Sequence, residues 1–422
     1  MKIAEIMAPV GSFEALRAAI QAGADSVYFG VKQLNMRARS SHNFSLEELK
    51  EVKSICKKAG IKAYVTLNTL LYQHDLILMR QIIDSAKNAG IDAVIVQDIA
   101  AIQYAKEIGM PIHASTQLSI SNIEAVRFYA NYADTIVLAR EVDMDMMKEI
   151  CNTVKKDKIK GPSGKLVKIE VFVHGALCIA QSGRCQMSLL QTNTSAQRGA
   201  CLQECRKSYR IIDDETGLEM RLEKNGYVMS PKDLCALPFL DKLIETGVDV
   251  CKIEGRSKSA DYVYKVVKVY KEAVIAISKN EFTQEKIENW MTELKSVFNR
   301  GFCDGYYLGK TLPEWTESKG NKASEERLFV GQVLHYFPKP RIAELKIQAN
   351  ELKIGDKIVI LGNTTGVEYG EITSMMKDEK KIKKSGKPAE VTIPFEKTVR
   401  KNDQVFLLRT IKENEDKESS SQ

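Results

Sequence analysis

Five of the nine cysteines in this 422-residue chain fall within one stretch. Cys178 and Cys185 sit in "HGALCIAQSGRCQMS", Cys201 and Cys205 in "RGACLQECR", and Cys235 in "KDLC". Thiols gathered like this can bind zinc, bind an iron–sulfur cluster or work as a redox pair. Structural zinc usually takes paired C-x₂₋₄-C knuckles, and only Cys201 and Cys205 stand that close. A radical-SAM pattern would put a third cysteine three positions after Cys205, where Ser208 stands. The wider spacings between 178, 185, 201 and 235 suit ligands drawn from separate loops, as thiolates around iron–sulfur clusters often are. Spacing alone leaves all three chemistries open. Cys56, Cys151 and Cys303 lie apart and read as buried packing residues.

The elements that must position these thiols repeat a simple unit. An amphipathic helix ends at a glycine, and a short apolar, β-branched run follows, as in "ALRAAIQAGADSVYFG" and "MRQIIDSAKNAGIDAVIVQD". Glycines 23, 60, 90, 109 and 247 fall where a helix needs a left-handed cap. Continuous apolar runs are those of strands buried on both faces of a parallel sheet. Strands are predicted at 3–8, 26–30, 62–67, 93–97, 111–115, 135–139, 167–173 and 249–254. Eight such units make a TIM-like (β/α)₈ barrel rather than an open doubly wound sheet. The fold class is thus α/β, with a large insertion after strand seven, residues 174–248, that holds the clustered cysteines. From about 323 the texture changes to short alternating runs such as "LFVGQVLHYF" and "DKIVILG", which predict a small C-terminal antiparallel β-barrel. The expected domains are 1–322 and 323–411, followed by a disordered tail at 412–422.

A closed parallel barrel does its chemistry at the C-terminal strand ends, and those ends are rich in hydrogen-bonding residues. Asn35 and Arg37 follow strand two, Asn68 strand three, Gln97 strand four and Gln117 strand five. Arg140 and Glu141 follow strand six; strand seven ends at His174, and strand eight runs through Lys252 to Glu254 and Arg256. Arginine offers carboxylate or phosphate a rigid, permanently charged fork. Arg37, Arg140 and Arg256 on one rim therefore predict a dianion site. His174, Glu254 and Arg256 are the expected catalytic residues, and Asn35, Arg37, Asn68, Gln97, Gln117 and Arg140 the expected substrate contacts.

Net charge is +7, from 62 Lys+Arg against 55 Asp+Glu, a balance compatible with nucleic acid that does not demand it. Lysines 377, 380, 381, 383, 384 and 387, and the loop "KKDKIKGPSGK", form two basic patches. No apolar stretch approaches the ~20 residues of a membrane span, and the start lacks a signal-peptide profile. A cytoplasmic location is expected, where disulfides are rare.

"IEVFVHGALCIAQSGRCQMS" resembles the signature of the collagenase-like peptidase family: Glu-x-Phe, a Gly-small step, Cys, six residues, Cys. "APVGSFEALRAAIQAGADSVYFG", "STQ" and "KDLC" agree with it, and the likeness spans the chain. It is greatest toward longer bacterial members that act as tRNA hydroxylation proteins. The resemblance implies a 4Fe-4S cluster on Cys178, Cys185, Cys201 and Cys235, with Cys205 as an extra thiol. It also implies prephenate as co-substrate, tRNA as partner and 5-hydroxylation of the wobble uridine as reaction. Prephenate carries two carboxylates, which suits the arginine rim. A peptidase is the competing reading, but no H-E-x-x-H, G-x-S-x-G or papain-like signature is present. A third is a non-catalytic subunit paired with a sister chain of the family.

Overall fold

The structure is a computed structural model that describes residues 3–39, 42–220, 226–310, 314–317 and 320–411. The expected tail at 412–422 lies outside the described residues.

Eight parallel strands form the barrel: β1 (Glu5–Pro9), β2 (Ser26–Gly30), β3 (Lys62–Leu67), β4 (Ala93–Val96), β5 (Ile112–Ala114), β6 (Thr135–Val137), β7 (Lys168–Ala176) and β8 (Val250–Ile253). Each pairs with the next, and β8 pairs with both β7 and β1, which closes the ring. Helices α1 (Phe13–Gln21), α2 (Leu49–Lys58), α3 (Leu76–Asn88), α4 (Ile99–Glu107), α5 (Ile123–Ala130) and α6 (Met144–Lys156) separate the first seven strands. Their apolar residues recur at helical spacing: α6 buries Met147, Ile150, Cys151 and Val154 against the sheet. The five cap glycines all have positive φ, as their positions require.

β7 is longer than its apolar run predicts. The excursion from the barrel returns as a short strand, Asp233–Cys235, and pairs antiparallel with its end, Cys235 opposite His174. That ladder carries β7 through Gly175 to Ala176. Gly175 (φ +105°) passes so close to β8 that a Cβ would stand 2.6 Å from the Glu254 carbonyl oxygen. The excursion itself has little regular structure, with α7 (Met187–Thr192) and three single-turn 3₁₀ segments. Its Gly199 (φ +83°) seats it on the β2–α2 loop, where a Cβ would meet the Asn35 carbonyl oxygen at 2.2 Å. Then α8 (Leu240–Glu245) leads into β8, and α9 (Ala260–Ser278) and α10 (Gln284–Lys295) complete the unit.

Residues 325–410 form an eight-stranded antiparallel sheet and a short two-stranded one (Leu352–Lys353 with Lys384–Ser385) around a single core including Val333, Leu345, Ile360, Ile393 and Val405. The outermost strands of this small barrel-like unit are not hydrogen-bonded to each other among the described residues. It is tied to the larger unit by Arg327–Asp261 (2.6 Å) and Lys265–Glu325 (3.0 Å), over an apolar contact of Ala18 and Ala260 with Val359, Leu361 and Val367. No helix of the described residues is long and apolar enough to cross a membrane.

Candidate functional site

The C-terminal strand ends and the cysteine-bearing excursion enclose one cavity. Cys178, Cys185, Cys201 and Cys205 all line it, with Arg37, Arg140 and Arg256 on the barrel side. All four thiols are partly buried. Burial pushes the Cys178 thiol up, and the Cys205 thiol up to about 11. A thiol held that way is a poor free nucleophile, yet metal coordination would deprotonate it. The Cys185 sulfur accepts a hydrogen bond from the Met187 N–H (3.4 Å).

Cys235 corrects the ligand set that the resemblance implies. It is buried on the returning strand, and its sulfur faces Tyr270 Oη (3.7 Å) and Met291 Sδ (3.8 Å), away from the cavity. Cys205, which the resemblance makes an extra thiol, stands with the other three. Among the described residues, no group of three or more His, Cys, Asp or Glu side chains is close enough to hold a single metal ion. Four thiols lining one cavity are a donor set that suits an iron–sulfur cluster, as it would four-coordinate zinc.

His174 is the second correction. Strand alternation places Glu170 and Phe172 inside the barrel and would put His174 there too. The register between β7 and β8 slips after Lys252–Phe172, so that Ile253 pairs with His174. This bulge turns the imidazole outward, among Tyr262, Tyr270 and Phe302. Burial drives its pKa down to about 3. It is a neutral packing residue within 3.4 Å of Tyr270 Oη, not a proton shuttle. No histidine lines the cavity among the described residues.

The remaining strand-end residues divide between cavity and support. Glu254 pairs with Arg37 (3.1 Å) and accepts from Tyr28 Oη (3.2 Å). Burial alone would raise its pKa, but the charges of Arg37, Arg140 and Arg256 hold it down to about 2. Arg256 donates to Thr66 Oγ1 (2.7 Å) and Asn35 Oδ1 (3.1 Å). Burial lowers it to about 10, so it stays a cation at neutral pH. Asn35 does not reach the cavity; its side-chain oxygen also accepts the Arg37 N–H (3.0 Å), so it positions both arginines. Gln97 likewise stands behind the wall and donates to the Asn68 carbonyl (2.9 Å). Asn68 and Gln117 do line the cavity, hydrogen-bonded to each other at 3.2 Å. Arg140 donates to the Ala176 carbonyl (2.6 Å) and lies 3.9 Å from the Phe172 ring centroid; neither contact neutralises its charge.

Two features exceed the sequence reading. Lys252 reaches the cavity from inside the barrel, paired with Glu170 (2.6 Å), whose other oxygen lies 3.5 Å from His113 Nδ1. Its place on the strand's inward face is what alternation could have shown. Arg206 also lines the cavity and ties the two thiol-bearing segments together, by bonds to the Leu177 (2.6 Å) and Pro231 (2.6 Å) carbonyls. In all, five cationic side chains (Arg37, Arg140, Arg206, Lys252, Arg256) line the cavity against three carboxylates (Glu141, Glu204, Glu254). That excess suits an anion.

Residues 11–317 match the model of Peptidase family U32. The chain is 49% identical over 402 residues to a protein named collagenase from Porphyromonas gingivalis W83, covering 95% of this chain and 97% of that protein. It is 33% identical over 366 residues to tRNA hydroxylation protein P1 of Bacillus subtilis, with 85% and 83% covered. Against the 23S rRNA 5-hydroxycytidine C2501 synthase of Escherichia coli it is 34% identical, over 71% of this chain and 44% of that protein. The solved structure of the U32 peptidase Mk0906 aligns with a TM-score of 0.34 at 13% identity, over 42% of this chain and 71% of that one. By family model and by near full-length identity, the chain belongs to Peptidase family U32.

Proposed function

We propose that this chain hydroxylates RNA, forming 5-hydroxyuridine at the wobble position of tRNA, with a 4Fe-4S cluster on Cys178, Cys185, Cys201 and Cys205 and prephenate as co-substrate. One observation carries the reading: four thiols share a cavity with an arginine rim and no histidine among the described residues. A cysteine peptidase needs the opposite arrangement, a thiol lowered by an adjacent imidazole. Relatives named for tRNA and rRNA hydroxylation support the choice of RNA. The relative named collagenase is the more similar, and keeps peptidase activity as the alternative to exclude.

Bound by four thiolates, a cluster supplies one-electron transfer. The chain's own residues do the rest. Arg140, hydrogen-bonded to a carbonyl rather than to a carboxylate, takes one carboxylate of the co-substrate, and Arg37 and Arg256 orient the other. Glu254 and Asn35 hold those two guanidiniums in place before anything binds, which lowers the ordering cost of binding. The excursion lies over the strand ends and supplies the thiol side of the cavity.

In cell extract, which supplies the two-electron acceptor and the oxygen that converting C5–H to C5–OH requires, the chain with unmodified tRNA and prephenate should add one oxygen atom to a uridine, read by nucleoside mass spectrometry. Arg140→Met should raise the KM for prephenate roughly 10- to 150-fold, the worth of one hydrogen bond to a charged group, with bound iron unchanged. An unaltered KM removes Arg140 from the site. Cleavage of gelatin by the same protein, without uridine oxidation, would establish the peptidase instead.

Exposed lysines in the C-terminal unit support the choice of tRNA as partner. All six lysines between 377 and 387 are exposed, three of them on the edge hairpin Met375–Lys377/Lys380–Ile382. The loop "KKDKIKGPSGK" joins α6 to β7 and so lies at the N-terminal strand ends, opposite the cavity. Only the first patch belongs to the proposed tRNA surface. Changing Lys380, Lys381, Lys383 and Lys384 to serine should make the dependence of tRNA affinity on log salt shallower by about 1 for each phosphate no longer neutralised. An unchanged slope would show that these lysines touch no phosphate.

A further inference from the structure

Outside the cavity, the rim above β3 and β4 carries a cluster of flat, polarisable groups. Tyr72 is 51% exposed. The Arg198 guanidinium lies 4.2 Å from its ring centroid, and the His74 ring 5.9 Å away at 61°. Arg198 is not a wandering surface side chain. It bonds both oxygens of the buried Asp75 (2.6 and 3.2 Å) and the Leu70 carbonyl (3.1 Å). Asp75 in turn accepts the Tyr72 N–H (2.7 Å). One buried carboxylate thus fixes the Arg–Tyr stack.

The cluster is continuous with the cavity. Arg198 lies between Ala196 and Cys201, which line it, and Asn68 lines it four residues before Tyr72. Leu70 N–H bonds the Gln197 carbonyl (3.1 Å), locking the two segments together. The exposed Arg39 donates its backbone N–H to the carbonyl of Gly199, next to Arg198. Leu70 is also partly exposed, at 44%. None of these groups has a role in the cavity itself.

We propose that Tyr72, backed by Arg198, is a stacking platform for an unpaired nucleobase adjacent to the one that enters the cavity. An aromatic ring with a guanidinium behind it and its own surface half exposed offers the π-face that bases stack on, whatever their sequence. Arg39 then supplies a cation for the intervening phosphate. A protein partner would make less use of a planar stack held rigid by a buried carboxylate. The proposal rests on the RNA reading above and names which part of the surface touches the strand.

The test uses the full chain and a fluorescently labelled RNA stem-loop with an unpaired loop, by anisotropy at several salt concentrations. Tyr72→Ala should weaken binding about tenfold, the lower part of the range for one stacked base, without changing the salt slope, because the ring neutralises no phosphate. Tyr72→Phe should bind like the wild type, since stacking does not use the hydroxyl. Equal affinity of Tyr72→Ala and wild type overturns the platform and leaves the RNA reading standing. No binding by wild type overturns both. Loss in Tyr72→Phe as large as in Tyr72→Ala shows that the hydroxyl, not stacking, matters, and also overturns it. Should Tyr72→Ala misfold, photo-crosslinking of wild type to RNA carrying 5-iodouridine decides. A crosslink within the peptide holding Tyr72 supports the platform, and crosslinks confined to other peptides refute it.

Discussion

Replacing Cys205 by serine is expected to strip iron from the protein purified without air, whereas Cys235→Ser should keep it. The two thiols look interchangeable from spacing, and the resemblance favours Cys235 as ligand. The structure separates them. Cys205 lines the cavity with Cys178, Cys185 and Cys201, while Cys235 packs against Tyr270 and Met291 behind the returning strand. Losing one of the four proposed thiolate ligands leaves an incomplete set, so near-complete loss of iron and sulfide and of the visible absorbance is predicted. Cys235→Ser should instead show only a cost in stability, from a hydroxyl in a site built for sulfur. Iron retained by Cys205→Ser and lost by Cys235→Ser would reverse the assignment.

The second large effect concerns the barrel interior. Lys252→Met should destabilise the fold by about 3–5 kcal/mol, the usual consequence of removing one partner of a buried ion pair. Glu170 is fully buried, and its charge is balanced by Lys252 at 2.6 Å. The double change Lys252→Met with Glu170→Leu should recover most of that loss, because no unpaired charge remains. Burial alone would raise the pKa of Glu170, but the charge of Lys252 and the nearby His113 hold it down to about 2. A carboxylate with a lowered folded pKa contributes stability above its unfolded value, near ~4.3, and loses it as pH falls toward about 2. Denaturant unfolding from neutral pH down to pH ~3 should therefore show an acid-dependent loss that is smaller in the double variant, which removes the share of Glu170 and keeps that of Glu254, held down likewise to about 2. Equal acid sensitivity of the two would place the loss elsewhere.

The barrel is legible in the sequence because its signals are local. A glycine with positive φ at five of the helix ends, and an apolar run after each helix, mark the βα units, and eight such runs leave little choice of architecture. The arginine rim is legible for the same reason, since strand ends face one side of any such barrel. What is not legible depends on contacts between distant segments. No spacing rule shows that Asp233–Cys235 returns to lengthen β7, and that pairing sends Cys235 inward to Tyr270. Nor does alternation foresee the slip between β7 and β8 that turns His174 away from the cavity. Asn35 and Gln97 stand out as polar strand-end residues, but only the hydrogen bonds show that they hold other residues rather than touch the site. Arg198 gives no sequence signal because its role comes from Asp75 and Tyr72, more than a hundred residues away.

The most direct measurement is the nucleoside composition of tRNA from cells that lack this chain, compared with the same cells carrying the wild type or Cys205→Ser. The account predicts that 5-hydroxyuridine and nucleosides built on it fall in the deleted cells, return with the wild type and do not return with Cys205→Ser. Unchanged 5-hydroxyuridine in the deleted cells, with no sister chain present to supply it, would contradict it.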